Sequence, residues 1–339
     1  MTGRGRMDSS SYPHYIRWDC YEYDAGGNLT CNGAYESEFG AGNRLTWHNG
    51  IDAAFDADGN MTSGPLDWQE GEFEYDELNR LISAGGSMGL TGYAYDGEGT
   101  RVSSGGITYV TDPNSELSQL LITHNEDGST TYYVYAPGFG LISQETFRDE
   151  GSPEYRLFYY DLRGSTVALA DMHGITDRFS YTPYGAAYQY IGWTETIFLF
   201  AGQHGVQTDA NGLIYMRARY YSPELGLFIN EDPIRDGLNW YAYAGGNPVN
   251  RIDPTGLFYS GFLEDLEELW GIVTSEEKHD HGIQYLHEQG IGGRVFAGLS
   301  NASRGTAKVV GIVAIAVVEN VSIDIEFGAG LGGSIYTPK

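Results

Sequence analysis

The sequence predicts a mainly β protein: stacked β-hairpins building a continuous sheet, a turn-rich segment closing it, and a small α-rich C-terminal segment. Three observations predict this. Tyrosine (27 residues) and glycine (48) are abundant and charged residues make up only 19%, which favours strands and tight turns over helices. A short unit recurs: aromatic, any residue, Tyr, Asp, a Gly or Asn turn, then an apolar residue. Its alternation has the period of a strand, so both rings fall on one face.

The unit reads Tyr21-Glu-Tyr-Asp-Ala-Gly-Gly-Asn-Leu29, then Phe73-Glu-Tyr-Asp-Glu-Leu-Asn-Arg-Leu81 and Tyr93-Ala-Tyr-Asp-Gly-Glu-Gly-Thr-Arg-Val102. It returns as Tyr159-Tyr-Asp-Leu-Arg-Gly-Ser-Thr-Val167 and, more weakly, as Phe179-Ser-Tyr-Thr-Pro-Tyr-Gly185. Phe55-Asp-Ala-Asp-Gly-Asn-Met61 carries the turn half. The Asp accepts local backbone hydrogen bonds, and Gly or Asn takes the positive φ that the turn requires. Each unit is then a hairpin whose aromatic face needs a neighbour, so the array is stable only as an array. Rows of aromatics on strands are read as sheet packing rather than as a carbohydrate site. Gln144 to Pro153 is polar, lies outside the pattern and reads as a loop.

Net charge is −27. Such a surface repels phosphate backbones and argues against nucleic-acid binding by the sheet region. Cys20 and Cys31 are the only cysteines, without metal-ligand spacing; a disulfide or two free thiols both fit. Residues 1–20 are polar and carry no signal-peptide core.

The run from Tyr215 to Leu257 is dense in turn residues and carries Asp232 and Asp253, each directly before a proline. Phe200-Ala-Gly-Gln203, Asp209-Ala-Asn-Gly-Leu-Ile-Tyr-Met-Arg-Ala-Arg-Tyr-Tyr-Ser-Pro-Glu-Leu-Gly-Leu-Phe228, Asp232-Pro-Ile, Asn239-Trp-Tyr-Ala-Tyr243 and Asp253-Pro-Thr-Gly-Leu257 follow in order. This resembles the Rhs repeat-associated core that closes Rhs/YD-repeat proteins, among them polymorphic toxins and Tc-toxin shells. Leu227, Asn230 and Gly246 depart from the residues usual there. The resemblance divides the chain into a YD-repeat hairpin region (1–157, expected to belong to a longer shell), a core (158–257) and a variable C-terminal cargo (258–339).

It further implies a bacterial, secreted or cell-surface shell with its own C-terminal segment as cargo, upstream shell or toxin-complex subunits as partners, and no cofactor or metal. It implies an intramolecular aspartyl protease with Asp232 and Asp253 as the paired carboxylates, Arg219 in support, and Leu257–Phe258 as the scissile bond. The chemistry is coherent. Two carboxylates in one site cannot both ionise cheaply, so one keeps a proton as acid and the other serves as base. The prolines fix chain direction at each Asp. A substrate tethered four residues beyond Asp253 needs only weak catalysis for one turnover. The alternative is a non-catalytic YD-repeat surface or scaffold protein, carbohydrate-binding or not, whose aspartates only close turns.

Beyond Leu257, apolar residues at 262, 263, 266, 269, 270 and 273 form a helical stripe with an acidic face. His279, His281 and His287 cluster with Glu276 and Glu277, and are read as exposed polar helix ends rather than a metal site. Val309 to Val318 is apolar but too short to span a bilayer. Gly290 to Val318 reads as a Gly/Ala-rich helix or helix hairpin that packs closely, with a membrane-active peptide as the sharper alternative. Val321-Ser-Ile-Asp-Ile-Glu-Phe327 alternates as a strand. No nuclease, deaminase or transferase motif is seen here.

Overall fold

The computed structural model describes residues 21–261, apart from 33–34, 87–88, 113 and 115–116. The expected C-terminal helix stripe, histidine cluster and strand lie outside the described residues, as does Cys20.

Asp76 shows why the repeat folds as it does. Its N–H donates to the Arg80 carbonyl at 3.0 Å, and the Asn79 N–H returns to the Asp76 carbonyl at 3.0 Å. Its Oδ1 accepts the N–H groups of Leu78 and Arg80 at 2.9 and 3.0 Å. Asp24, Asp96 and Asp161 make the same four bonds. The residue at the fourth position is left-handed, with φ 60° at Asn79 and 88° at Gly99. One carboxylate thus satisfies two turn amides that the ladder cannot reach.

The hairpins join in sequence order. Strands from Tyr21–Tyr23 to Ile51–Asp52 form a five-stranded antiparallel sheet, and those from Ala54–Phe55 to Ala187–Ile191 a fourteen-stranded one. A bulge recurs at the second aromatic of the unit, at Tyr75, Tyr95, Tyr135, Tyr160 and Tyr181. Bulges bend a strand and increase its twist. Four of these tyrosines donate their hydroxyl to a carbonyl of an earlier hairpin: Tyr95 to Leu81 (2.7 Å), Tyr135 to Leu120 (3.0 Å), Tyr160 to Leu141 (2.7 Å) and Tyr181 to Thr166 (2.8 Å). The tyrosine is therefore both packing ring and latch between units.

The first aromatic is more deeply buried. Phe73 and Tyr93, with Met61 and Leu81, pack against Leu213, Tyr220, Leu227 and Ile229. Tyr133, Phe158 and Phe179 pack around Phe198. Residues 197–244 thus cover the aromatic face that each hairpin leaves bare. Within them a four-stranded sheet runs from Gln207–Thr208 to Leu227–Phe228. Arg101, fully enclosed, ties the two layers: Nη1 meets Asp209 Oδ2 at 2.6 Å, and Nη2 meets Gln207 Oε1 at 2.7 Å. Its Cζ stands 4.2 Å from the Tyr215 ring centroid.

The loop expected over Gln144 to Pro153 is corrected over 144–147 and holds over 148–153. The strand Gly140–Phe147 runs through its first half. Gln144 is buried and donates to the Glu195 carbonyl at 3.0 Å, while Thr146 pairs with Thr131 at 3.0 Å. Polar side chains held by hydrogen bonds inside the wall do not break a strand, although the Gln144 Oε1 is buried without a partner. Cys31, on the strand Leu29–Asn32, is disulfide-bonded.

Candidate active site

Arg219 opens the strand Arg219–Ser222, and its guanidinium lies 3.7 Å from the Phe228 ring centroid on the adjoining strand. Nη1 donates to the Trp240 carbonyl at 2.9 Å and Nε to the Gly256 carbonyl. The Trp240 carbonyl also receives the Asp232 N–H at 3.1 Å. One backbone oxygen therefore fixes both the arginine and the aspartate.

Asp232 caps its own turn. Its Oδ1 accepts Ile234 N–H at 3.0 Å and its Oδ2 accepts Asp236 N–H at 3.4 Å. Asp253 follows the short strand Arg251–Ile252, which pairs with Ser260–Gly261. Its Oδ1 accepts the Thr255 hydroxyl at 3.1 Å and the Leu257 N–H at 3.2 Å. The three residues named from the sequence are brought together: Arg219 Nη2 lies 3.9 Å from Asp232 Oδ2 and 3.5 Å from Asp253 Oδ2. All three side chains are buried.

One guanidinium between two carboxylates leaves an excess negative charge if both ionise. Keeping such a charge out of water is costly, which favours the protonated form of a buried carboxyl. Burial pushes the Asp253 carboxyl above its usual range, against the pull of Arg219 and the hydrogen bonds from Thr255, Gly256 and Leu257. Burial also lowers the Arg219 guanidinium, opposed by Asp232 and Asp253.

The expected scissile bond lies on the loop pinned to this cluster. Leu257 is half-buried and Phe258 is 62% exposed. The Phe258 N–H donates to Thr255 Oγ1 at 3.2 Å. Gly256 holds φ at 70°, and a Cβ there would stand 2.6 Å from the Met216 carbonyl. Only glycine lets the loop approach so closely. Gly256 is among the turn residues of the closing motif, while Thr255 is not singled out by the sequence reading, although Asp-Pro-Thr-Gly carries the pattern of a side-chain-closed turn.

No family model matches the chain. It is 28% identical over 268 residues to the tRNA3(Ser)-specific nuclease WapA of Bacillus spizizenii, covering 70% of this chain and 11% of that protein. It is 26% identical over 302 residues to the double-stranded DNA deaminase toxin A of Burkholderia cenocepacia, covering 75% and 20%. It is 27% identical over 300 residues to toxin subunit YenC1 of Yersinia entomophaga, covering 76% and 30%. The chain thus spans a tenth to a third of the length of these relatives. The crystal structure of TcdB2-TccC3 shares the fold, with a TM-score of 0.51 at 22% identity over 70% of this chain and 13% of that one. Repeated Tyr-Asp hairpins, the segment that covers them and these similarities together give the chain an Rhs/YD-repeat architecture, shared with the toxin proteins named above.

Proposed function

We propose that the chain is part of a toxin shell that encloses a C-terminal cargo, residues 258–339, and frees it by cutting its own backbone after Leu257. One observation carries this reading: Asp232 and Asp253 converge on Arg219 beside the loop that holds Leu257. In the proposed reaction Asp232 takes a proton from a water whose oxygen bonds to the Leu257 carbonyl carbon. Asp253 gives its proton to the carbonyl oxygen. As the intermediate collapses, the bond to the Phe258 nitrogen breaks, that nitrogen takes the proton from Asp232, and Asp253 regains one from the intermediate's hydroxyl. Arg219 holds the Gly256 carbonyl and keeps one carboxylate ionised.

The relatives support the cargo reading, since proteins named for a tRNA nuclease, a DNA deaminase and a toxin subunit share this portion. By the same likeness the partners are other subunits of a toxin complex, and the shell acts outside the producing cell. The acidic shell itself takes no nucleic acid. A second reading, a non-catalytic scaffold, is favoured by a separate observation: both aspartates accept backbone N–H groups within their own turns. Intact mass of the purified wild type against Asp232→Asn and Asp253→Asn separates the two readings.

A further inference from the structure

A cavity of about 230 Å³ lies between the hairpin turn at 98–101 and the covering residues 205–218. Thr100, Arg101, Thr111, Gln207, Tyr215 and Arg217 contribute to its lining. Arg217 is the unusual member. Its Nη1 donates to the Pro254 carbonyl at 2.6 Å and its Nη2 to the His204 carbonyl at 2.8 Å. Its Nε is enclosed without a hydrogen-bond partner, as is the Nε of Arg101. The enclosed guanidiniums of Arg101 and Arg219 have carboxylates, Asp209 for the first and Asp232 and Asp253 for the second, whereas Arg217 is half-buried. Arg217 has none within ion-pair reach among the described residues, in a chain of net charge −27.

A cation partly withdrawn from water without a counter-ion carries a cost that an anion beside it would relieve. Here it borders a polar space that has hydroxyls from Thr100 and Thr111 and the amide of Gln207 around it. A guanidinium presents several fixed donors that match a phosphate. Glu98, the one carboxylate in the lining, is exposed, where water and salt screen its field. We propose that this cavity binds a small tetrahedral oxyanion, phosphate either free or as a monoester. The site stands independently of the self-processing reading.

Titration calorimetry of the full chain with inorganic phosphate, at low ionic strength against matched chloride, tests it. Saturable binding at one site per chain, with a dissociation constant below about 1 mM, is expected. Arg217→Gln weakens it about tenfold or more. Because Arg217 also steadies two backbone carbonyls, Thr111→Val serves as the second variant; it folds as the wild type and weakens binding about threefold. Glycerol phosphate run in parallel identifies the source: tighter binding than phosphate assigns a monoester, equal or weaker binding the free ion. No saturable heat from the wild type up to about 10 mM phosphate overturns the proposal. So does wild-type affinity in both variants.

Discussion

The Oδ2 atoms of Asp232 and Asp253 face the same nitrogen, Nη2 of Arg219, at 3.9 and 3.5 Å. Each aspartate reaches that point from its own turn, and a single arginine side chain joins them. Burial raises the Asp253 carboxyl above its usual range, which makes the cluster's behaviour depend on pH.

Self-cleavage is expected to fall as pH rises through the raised pKa of Asp253. Burial lets Asp253 keep its proton above the usual carboxylate range, and the proposed acid is lost when that proton leaves. A single-turnover series across pH, read as the fraction of chain parted, checks this. Rates that climb monotonically into alkaline pH contradict the assignment.

Replacing the arginine tests the electrostatics separately from the chemistry. Arg219→Met leaves two enclosed carboxylates without their cation, at a cost of about 3–5 kcal/mol. Urea unfolding of an uncleaved Asp232→Asn background, with and without this change, measures the loss. An unchanged midpoint means that the cluster is better hydrated than its burial implies.

Gly256→Ala combines a left-handed backbone with a Cβ 2.6 Å from the Met216 carbonyl. The expected cost is about 1–3 kcal/mol, and cleavage slows because the Leu257 loop moves off the cluster. A variant with wild-type stability and wild-type cleavage would show that the loop is not held as described.

His48 and Glu224 form a second titrating pair, where a hairpin meets the covering residues, with Nε2 3.9 Å from Oε1. Burial pushes Glu224 up from 4.5 to about 7 and His48 down from 6.5 to about 4. The raised carboxyl favours folding fully below its unfolded pKa and loses that contribution as pH rises through 7. The lowered imidazole favours folding above 6.5 and loses that contribution as pH falls through 4. Between about pH 4.5 and 6.5 the two trends oppose, so wild-type stability is nearly flat. Glu224→Gln should leave stability rising with pH there, and His48→Gln should leave it falling, each by roughly 3 kcal/mol across its window. Thermal unfolding at several pH values reads this directly; parallel profiles for all three proteins contradict it.

Much of the fold was legible because its signal is local. The Asp76 turn and the Phe73/Tyr75 alternation are written within nine consecutive residues, and every copy builds the same hairpin. Gln144 misled for the opposite reason: its amide nitrogen is held by the Glu195 carbonyl, fifty-one positions away. Arg219, Asp232 and Asp253 could be named from the closing motif, and the structure brings them together. Thr255 was within reach of the Asp-Pro-Thr-Gly turn pattern, whereas the His48–Glu224 and Arg101–Asp209 pairs could not be found by pattern. The last two join residues more than a hundred positions apart, through docking that no local spacing encodes.

The central claim is tested most directly by the intact mass of the full chain, incubated after purification, with the N-terminal residue of any released piece determined. The account predicts two fragments parted between Leu257 and Phe258, with Asp232→Asn and Asp253→Asn both remaining whole. A wild-type chain that stays whole, or a cut that persists in either variant, would contradict it.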